Sequence, residues 1–207
     1  MRPKRSHLYV NLPVAFALLI LVSGVSMAKS IRISQEATAG AGDFVELGTI
    51  ETYVTADTAS GYYAHNASGS YSFNGPEPPL RTNYSHLFFV EASDGLSFFA
   101  VHGPVSDGER ARSSMEFNLA GDTAEIRVYD DWWGGSDDYT DSGTSFTSDH
   151  ISWPGLTDGL VIGALEGMGW QMTASFTSFV RLQDWAAFSS SGSAVDLTLA
   201  EGRRVRM

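Results

Sequence analysis

Met168, Trp170, Met172, Ala174 and Phe176 share one parity of the run "MGWQMTASF", while Gly169, Gln171, Thr173 and Ser175 share the other. Side chains of an extended chain alternate faces, so such alternation marks a half-buried strand. A helix would repeat its apolar positions about every 3.6 residues instead. The constraint recurs. In "SMEFNLAGDTAEIRV", Met115, Phe117 and Leu119 alternate with Glu116 and Asn118, and Ala124, Ile126 and Val128 alternate with Glu125 and Arg127. Ala120-Gly121-Asp122 between them supplies a turn, so the pair is expected to form a hairpin.

"HLFFVEASDGLSFFAV" is a second expected hairpin, turning at Ser93-Asp94-Gly95. Its arms, Leu87–Val90 and Leu96–Val101, are almost continuously apolar, as in strands covered on both faces. Further candidate strands are Phe44–Val54, Tyr62–His65, Ser70–Phe73, Gly159–Leu165, Val180–Phe188 and Val195–Leu199. No segment sustains a helical period. Many short strands separated by turn residues predict an all-β fold, an antiparallel β-sandwich of jelly-roll or immunoglobulin-like type with about ten short strands. Trp170 and Trp185 are expected in the core, and Trp153, before Pro154-Gly155, in loop packing.

The N-terminus reads as an export signal. Arg2, Lys4 and Arg5 precede the apolar run Val14–Val22, and Ser26-Met27-Ala28 offers small residues at the cleavage positions. This is the three-part pattern of a secretory signal peptide over residues 1–28. A spanning helix needs about 20 apolar residues, more than the interval between Pro13 and Ser23 provides. No second apolar segment of spanning length follows, so no membrane span is expected after cleavage. Residues 29–42 are polar and small and read as a flexible lead-in to a single domain over 43–207.

Charge and cysteine content exclude several classes. Cleavage would remove three of the 13 basic residues and none of the 24 acidic ones, moving the net charge from −11 to −14. That charge repels phosphate backbones and argues against a nucleic-acid partner. Cysteine is absent, which excludes disulfides, thiolate metal sites and a cysteine nucleophile. An exported domain without disulfides points to a prokaryotic extracellular, cell-surface or periplasmic protein.

The densest chemistry lies in "VYDDWWGGSDDYTDSG", Val128 to Gly143. Ten acidic residues and one basic residue, Arg127, fall between Gly121 and Glu166. Calcium takes six to eight oxygen ligands, and loops rich in aspartate and glycine supply carboxylates and carbonyls. Asp130, Asp131, Asp137, Asp138 and Asp141 are therefore the candidate metal ligands, and calcium the candidate cofactor. The plainer alternative is a solvated acidic loop. Neither known calcium motif fits: an EF-hand started at Asp137 puts Tyr139 third and Ser142 sixth, and a nonapeptide started at Gly134 has Asp137 where glycine belongs. Asp130 continues the parity of Ile126 and Val128, which places it in register with the core face.

Trp132, Trp133 and Tyr139 share this stretch. A flat ring stacks on the C–H face of a pyranose while neighbouring carboxylates accept hydroxyl hydrogen bonds, so these three are the candidate ligand-binding residues. Of the adjacent tryptophans, one is expected to face inward and one outward. Catalytic signatures are sparse: His65, His86, His102 and His150 form no close ligand pair, and there is no nucleophile elbow. The expected function is an exported, non-catalytic binding module for carbohydrate or a cell-envelope polymer, with a calcium-stabilised loop. The alternatives are a surface or matrix adhesion protein with a protein partner, and a jelly-roll glycan-active enzyme.

Overall fold

The computed structural model of the chain describes residues 28–65, 72–106, 109–130 and 138–207. The expected signal peptide before Ala28 lies outside them. Fourteen strands and one short helix follow in order: β1 Ser30–Glu36, β2 Phe44–Glu51, β3 Tyr53–Val54, α1 Ala59–Tyr63, β4 Tyr84–Ala92, β5 Gly95–His102, β6 Arg110–Ala120 and β7 Glu125–Tyr129. Then come β8 Asp138–Asp141, β9 Ser145–Pro154, β10 Asp158–Leu165, β11 Gln171–Val180, β12 Asp184–Phe188, β13 Ala194–Leu197 and β14 Val205–Arg206. They form a β-sandwich of two seven-stranded sheets. The first runs β2-β1-β14-β11-β6-β9-β8, and the second β13-β12-β4-β5-β10-β7, with β3 also paired to β4. The second sheet is mixed rather than purely antiparallel, because β3 and β12 both run parallel to β4.

The main core lies between the sheets. Phe98, Phe117, Phe146, Phe176 and Trp185 are wholly buried there, with Ile33, Met115, Ile162 and Met172 among them. A second core lies on the far face of the second sheet, where Phe88, Phe99 and Val161 pack beneath Tyr62, Tyr63 and Phe73. The β4–β5 hairpin is thus covered on both faces, as its continuous apolar arms require. Its turn needs Gly95, at φ +116°, where a Cβ would lie 2.5 Å from the Ala164 methyl.

The covering segment is tied to that same hairpin. Thr58 caps α1 by accepting from the Gly61 N–H at 3.0 Å, and Asp94 of the β4–β5 turn accepts from the Ala59 N–H at 2.8 Å. An Asp57 carbonyl accepts from Ser93 N–H. The Thr58 and Asp94 bonds satisfy open donors of the helix start, and the Ser93 bond ties the segment before it to the hairpin turn. Residues 62–65, expected as a strand, therefore belong to a helix and its C-terminal turn, with Ala64 in the left-handed region at φ 55°.

Other expectations are corrected. The 29–42 segment is no flexible lead-in: it contains β1, whose Ile31 and Ile33 are buried, paired along its length with β2. Glu36 secures it, accepting from the Gly40, Gly42 and Arg204 N–H groups and from the Arg204 guanidinium. Ser72 and Phe73 lie outside any strand, and the span 180–188 divides at Arg181 between β11 and β12. Trp153 is not in a loop. It lies on β9, 1% exposed, stacked on His102 at 4.7 Å and donating to the Gly103 carbonyl. Met168 leaves the strand pattern altogether and is 99% exposed.

The largest correction concerns β6 and β7. They form no hairpin: β6 pairs with β11 and β9 in the first sheet, whereas β7 pairs with β10 in the second. The chain crosses between sheets at residues 121–124. Gly121, at φ +81°, permits this where a Cβ would press to 3.3 Å on Trp170 Cα. Alternation reports which face of a strand is apolar. It does not report which sheet supplies the neighbours.

Two histidines are built into the sandwich. His102 is held between the Ser85 and Ser113 hydroxyls at 2.9 and 3.0 Å, and His86 Nε2 accepts from the Arg81 N–H at 2.9 Å. Burial drives the imidazole of His102 down to about 3 and that of His86 down to about 4. Both are neutral in the folded protein, while the unfolded chain takes up their protons near pH 6.5. Stability is therefore full above that pH and falls as the pH drops toward the folded values, by roughly 2 kcal/mol per histidine at pH 5. Thermal melts are expected to be flat from pH 8 to 7 and to decline steadily from pH 6.5 to 5. A flat profile across that lower interval would remove the histidines as the acid-labile points.

Candidate functional site

β7 and β8 are the edge strands of the two sheets on the same side of the sandwich. The segment 131–137 connects them, so the acidic aromatic stretch begins and ends on this rim. Asp131, Trp132, Trp133 and Asp137 lie outside the described residues. Asp130, Asp138, Tyr139 and Asp141 are described, and they occupy quite different environments.

Asp130 does not face the core between the sheets. Along the β7–β10 ladder Val161 pairs with Val128 but Ile162 pairs with Ile126, so Arg127 is an extra residue, a β-bulge. A bulge reverses side-chain parity along the strand. Ile126 therefore packs between the sheets, and Val128 on the outer core. Asp130 follows Val128, and its carboxylate, 0% exposed, meets the covering segment.

Its partners there come from far away in sequence. Tyr63 donates its hydroxyl to Oδ2 at 2.5 Å, and His65 Nε2 lies 2.6 Å from Oδ1. Tyr139 donates to the Asp130 main-chain carbonyl at 2.9 Å, and the Asp130 N–H donates to Gly159. Burial first, and then Asp130, pushes the Tyr63 phenol well above 10, so it remains a proton donor at any physiological pH. Asp158, also fully buried, adds to that effect and accepts from the Gly159 N–H at 2.7 Å. A carboxylate out of water is tolerated only with such partners. The arrangement is an anchor: it fixes the point where the chain leaves β7.

Asp141 has a second structural task. Its Oδ2 accepts from the Ile126 N–H at 2.7 Å and its Oδ1 from the Gly143 N–H at 2.9 Å, tying the end of β8 to the start of β7. Asp138 is the solvent-facing member, 80% exposed, with His150 3.9 Å away. The described aspartates thus do not turn toward one point, and no metal-holding group of three or more His, Asp or Glu side chains occurs among the described residues. Calcium at this loop would need Asp131 and Asp137 with Asp138, since both oxygens of Asp130 and of Asp141 face protein donors.

Tyr139 is likewise engaged through its hydroxyl. Its ring meets that of Tyr129 edge-on, with centroids 5.4 Å apart at 80°. Tyr129, not singled out from the sequence, is 39% exposed, and Asp141 and Glu125 lie close enough to help raise its phenol above the ordinary range, after burial. The rim therefore carries an aromatic surface braced from behind by a second tyrosine and flanked by carboxylates. Tyr63 and His65 also escaped sequence reading, because nothing local in "YYAH" announces a partner 65 residues away. No family model, no curated protein and no solved structure matches this chain.

Asp130→Ala should strand Tyr63 and His65 and destabilise the fold by about 3 kcal/mol, a fall of roughly 6–12 °C in Tm for a domain of this size. Asp138→Ala should stay within about 0.5 kcal/mol of the parent. Chemical denaturation of both variants checks this, and equal effects would contradict the division of roles.

Proposed function

We propose that this protein is an exported, non-catalytic β-sandwich module that binds carbohydrate or a cell-envelope polymer at the β7–β8 rim. The observation that carries the reading is the braced Tyr129 ring, exposed at the point where the segment bearing Trp132 and Trp133 leaves β7. Flat rings held against rotation offer stacking surface at little cost in conformational entropy. The carboxylate of Asp138, 80% exposed, is placed to accept hydroxyl hydrogen bonds. Tyr139 supports that surface from behind. In this reading the histidine–aspartate pair at His65 and Asp130 is architectural, because its buried carboxylate holds a strand end.

Pull-down on a panel of insoluble polysaccharides tests the proposal. Retention is expected for the parent and a loss of at least about tenfold in affinity for Trp132→Ala/Trp133→Ala, the scale of lost aromatic anchors. Unaltered retention in that variant would refute the rim as the site. Repeating the assay and the thermal melt with a chelator decides the calcium question: a lowered Tm assigns calcium to the loop, and an unchanged one removes it.

A second reading rests on β2. This edge strand exposes Val45 and Leu47 at 52% and 44%, and a bulge leaves Leu47 opposite no residue of β1. Exposed apolar edges pair with other chains, so the alternative function is adhesion through this strand. Sedimentation would then show concentration-dependent association abolished by Leu47→Lys, and a monomer at all concentrations would exclude it.

A further inference from the structure

The second sheet carries a recess near the edge away from the rim. β7 forms one edge of that sheet, and β13, paired to β12, forms the other. At the β12 side a cavity of 520 Å³ is lined by residues 77–81, by residues 188–192 of the β12–β13 turn, and by Tyr53. Phe188 and Tyr53 belong to the outer core of the sheet, so the recess opens on its outer face. Sites of about 300–1,000 Å³ suit small organic ligands.

Two opposite charges line this recess, and the main chain of each is pinned. Tyr62 donates its hydroxyl to the Glu77 carbonyl at 2.9 Å, and the Arg81 N–H donates to His86 Nε2 at 2.9 Å. The Arg81 guanidinium lies 5.0 Å from the centre of the Phe188 ring, which is itself stacked on His86 at 4.7 Å. Tyr53 donates its hydroxyl to the Ser189 carbonyl at 3.1 Å, beside Phe188. Burial first, and then the Glu77 carboxylate, pushes that same phenol up to about 12. The cation thus rests on one ring of the recess, and the carboxylate acts on the other. Yet the two do not pair: among the described residues neither side chain makes an ion pair or a hydrogen bond. Asp196 is engaged elsewhere, accepting from the Tyr84 hydroxyl at 3.4 Å. Between the charges the chain supplies Pro78, Pro79 and Leu80, an apolar lining.

We infer that this recess binds a short apolar peptide with both termini free, its carboxylate on Arg81, its ammonium on Glu77 and its side chains against Pro78, Leu80 and Tyr53. Guanidinium favours planar, bidentate carboxylate partners, and a guanidinium already laid on a ring loses less freedom when it binds one. Specificity follows from the unlike charges: a polyanion meets Glu77, a polycation meets Arg81, and a neutral ligand leaves both unanswered. The site stands independently of the rim, since it shares no residue with β7 or β8.

Calorimetric titration with the dipeptide leucyl-leucine, its N-acetyl form, its C-terminal amide and free leucine tests it. The parent is expected to bind the free dipeptide roughly tenfold more tightly than either capped form, the scale of one lost charged hydrogen bond. Arg81→Gln should abolish the preference for the free carboxylate over the amide while keeping the preference for the free amine. Glu77→Gln should do the reverse. Both positions are exposed, so the melting temperature of each variant is expected to stay in place. Absence of heat with leucyl-leucine, equal affinity for the capped forms, or preferences unmoved by the two substitutions each overturns the inference. Tighter binding of free leucine than of the dipeptide overturns the peptide assignment. The rim proposal is judged separately, on polysaccharide retention by the Trp132/Trp133 variant, so either can fail alone.

Discussion

The central strands of the second sheet are apolar on both faces, and the rest of the molecule is arranged around that fact. Leu87, Phe89, Phe98 and Ile162 face the first sheet, while Phe88, Val90, Phe99 and Val161 face away from it. Each large side chain left in water would forgo about 1.5–3 kcal/mol, so the outer face requires a cover. Tyr62, Tyr63 and Phe73 provide it, with Phe73 edge-on to Phe88 at 5.9 Å. The cover needs a fixed entry, which Thr58 and Asp94 give to α1. It also needs a fixed exit, and here the polar chemistry begins: Tyr63 and His65 end the covered stretch by closing on Asp130.

The buried cluster around Asp130 is therefore a by-product of covering a sheet. Asp130 is placed under the cover by one inserted residue. Without the bulge at Arg127, the alternation of Ile126 and Val128 would carry the aspartate to the opposite face of β7, away from Tyr63 and His65. One extra residue turns a carboxylate toward a phenol and an imidazole.

Sequence legibility followed the range of the physics. The β4–β5 hairpin was readable because its turn residues and its apolar arms lie within sixteen residues of one another. So was the buried parity of Met172, Ala174 and Phe176. The crossing at Gly121 was not, since a turn between two alternating segments looks the same whether the second segment returns to its own sheet or joins another. β1 was hidden by its polar outer parity, Arg32 and Ser34, which resembles a linker when Ile31 and Ile33 are not weighed against a distant β14. At the candidate site, Asp130, Asp138 and Asp141 were found as acidic residues, but their tasks depend on donors at Tyr63, His65, Ile126 and Gly143. Carboxylates adjacent in sequence diverge in space once each meets a different backbone donor.

Net charge misleads in the same way. A chain at −11 repels anions at a distance, but screening confines that field to about 10 Å at ordinary ionic strength. Within that range local pairing decides. Glu36 is buried against Arg204, and Arg203 donates to the Glu36 and Ala37 carbonyls, so the basic C-terminal run is divided between anchoring and exposure. Arg206 is what remains after those demands are met. The same strand that closes the first sheet between β1 and β11 thereby leaves one guanidinium over the Phe44 ring rather than on a carboxylate, and a molecule acidic as a whole keeps a local cation on the outer face of that sheet.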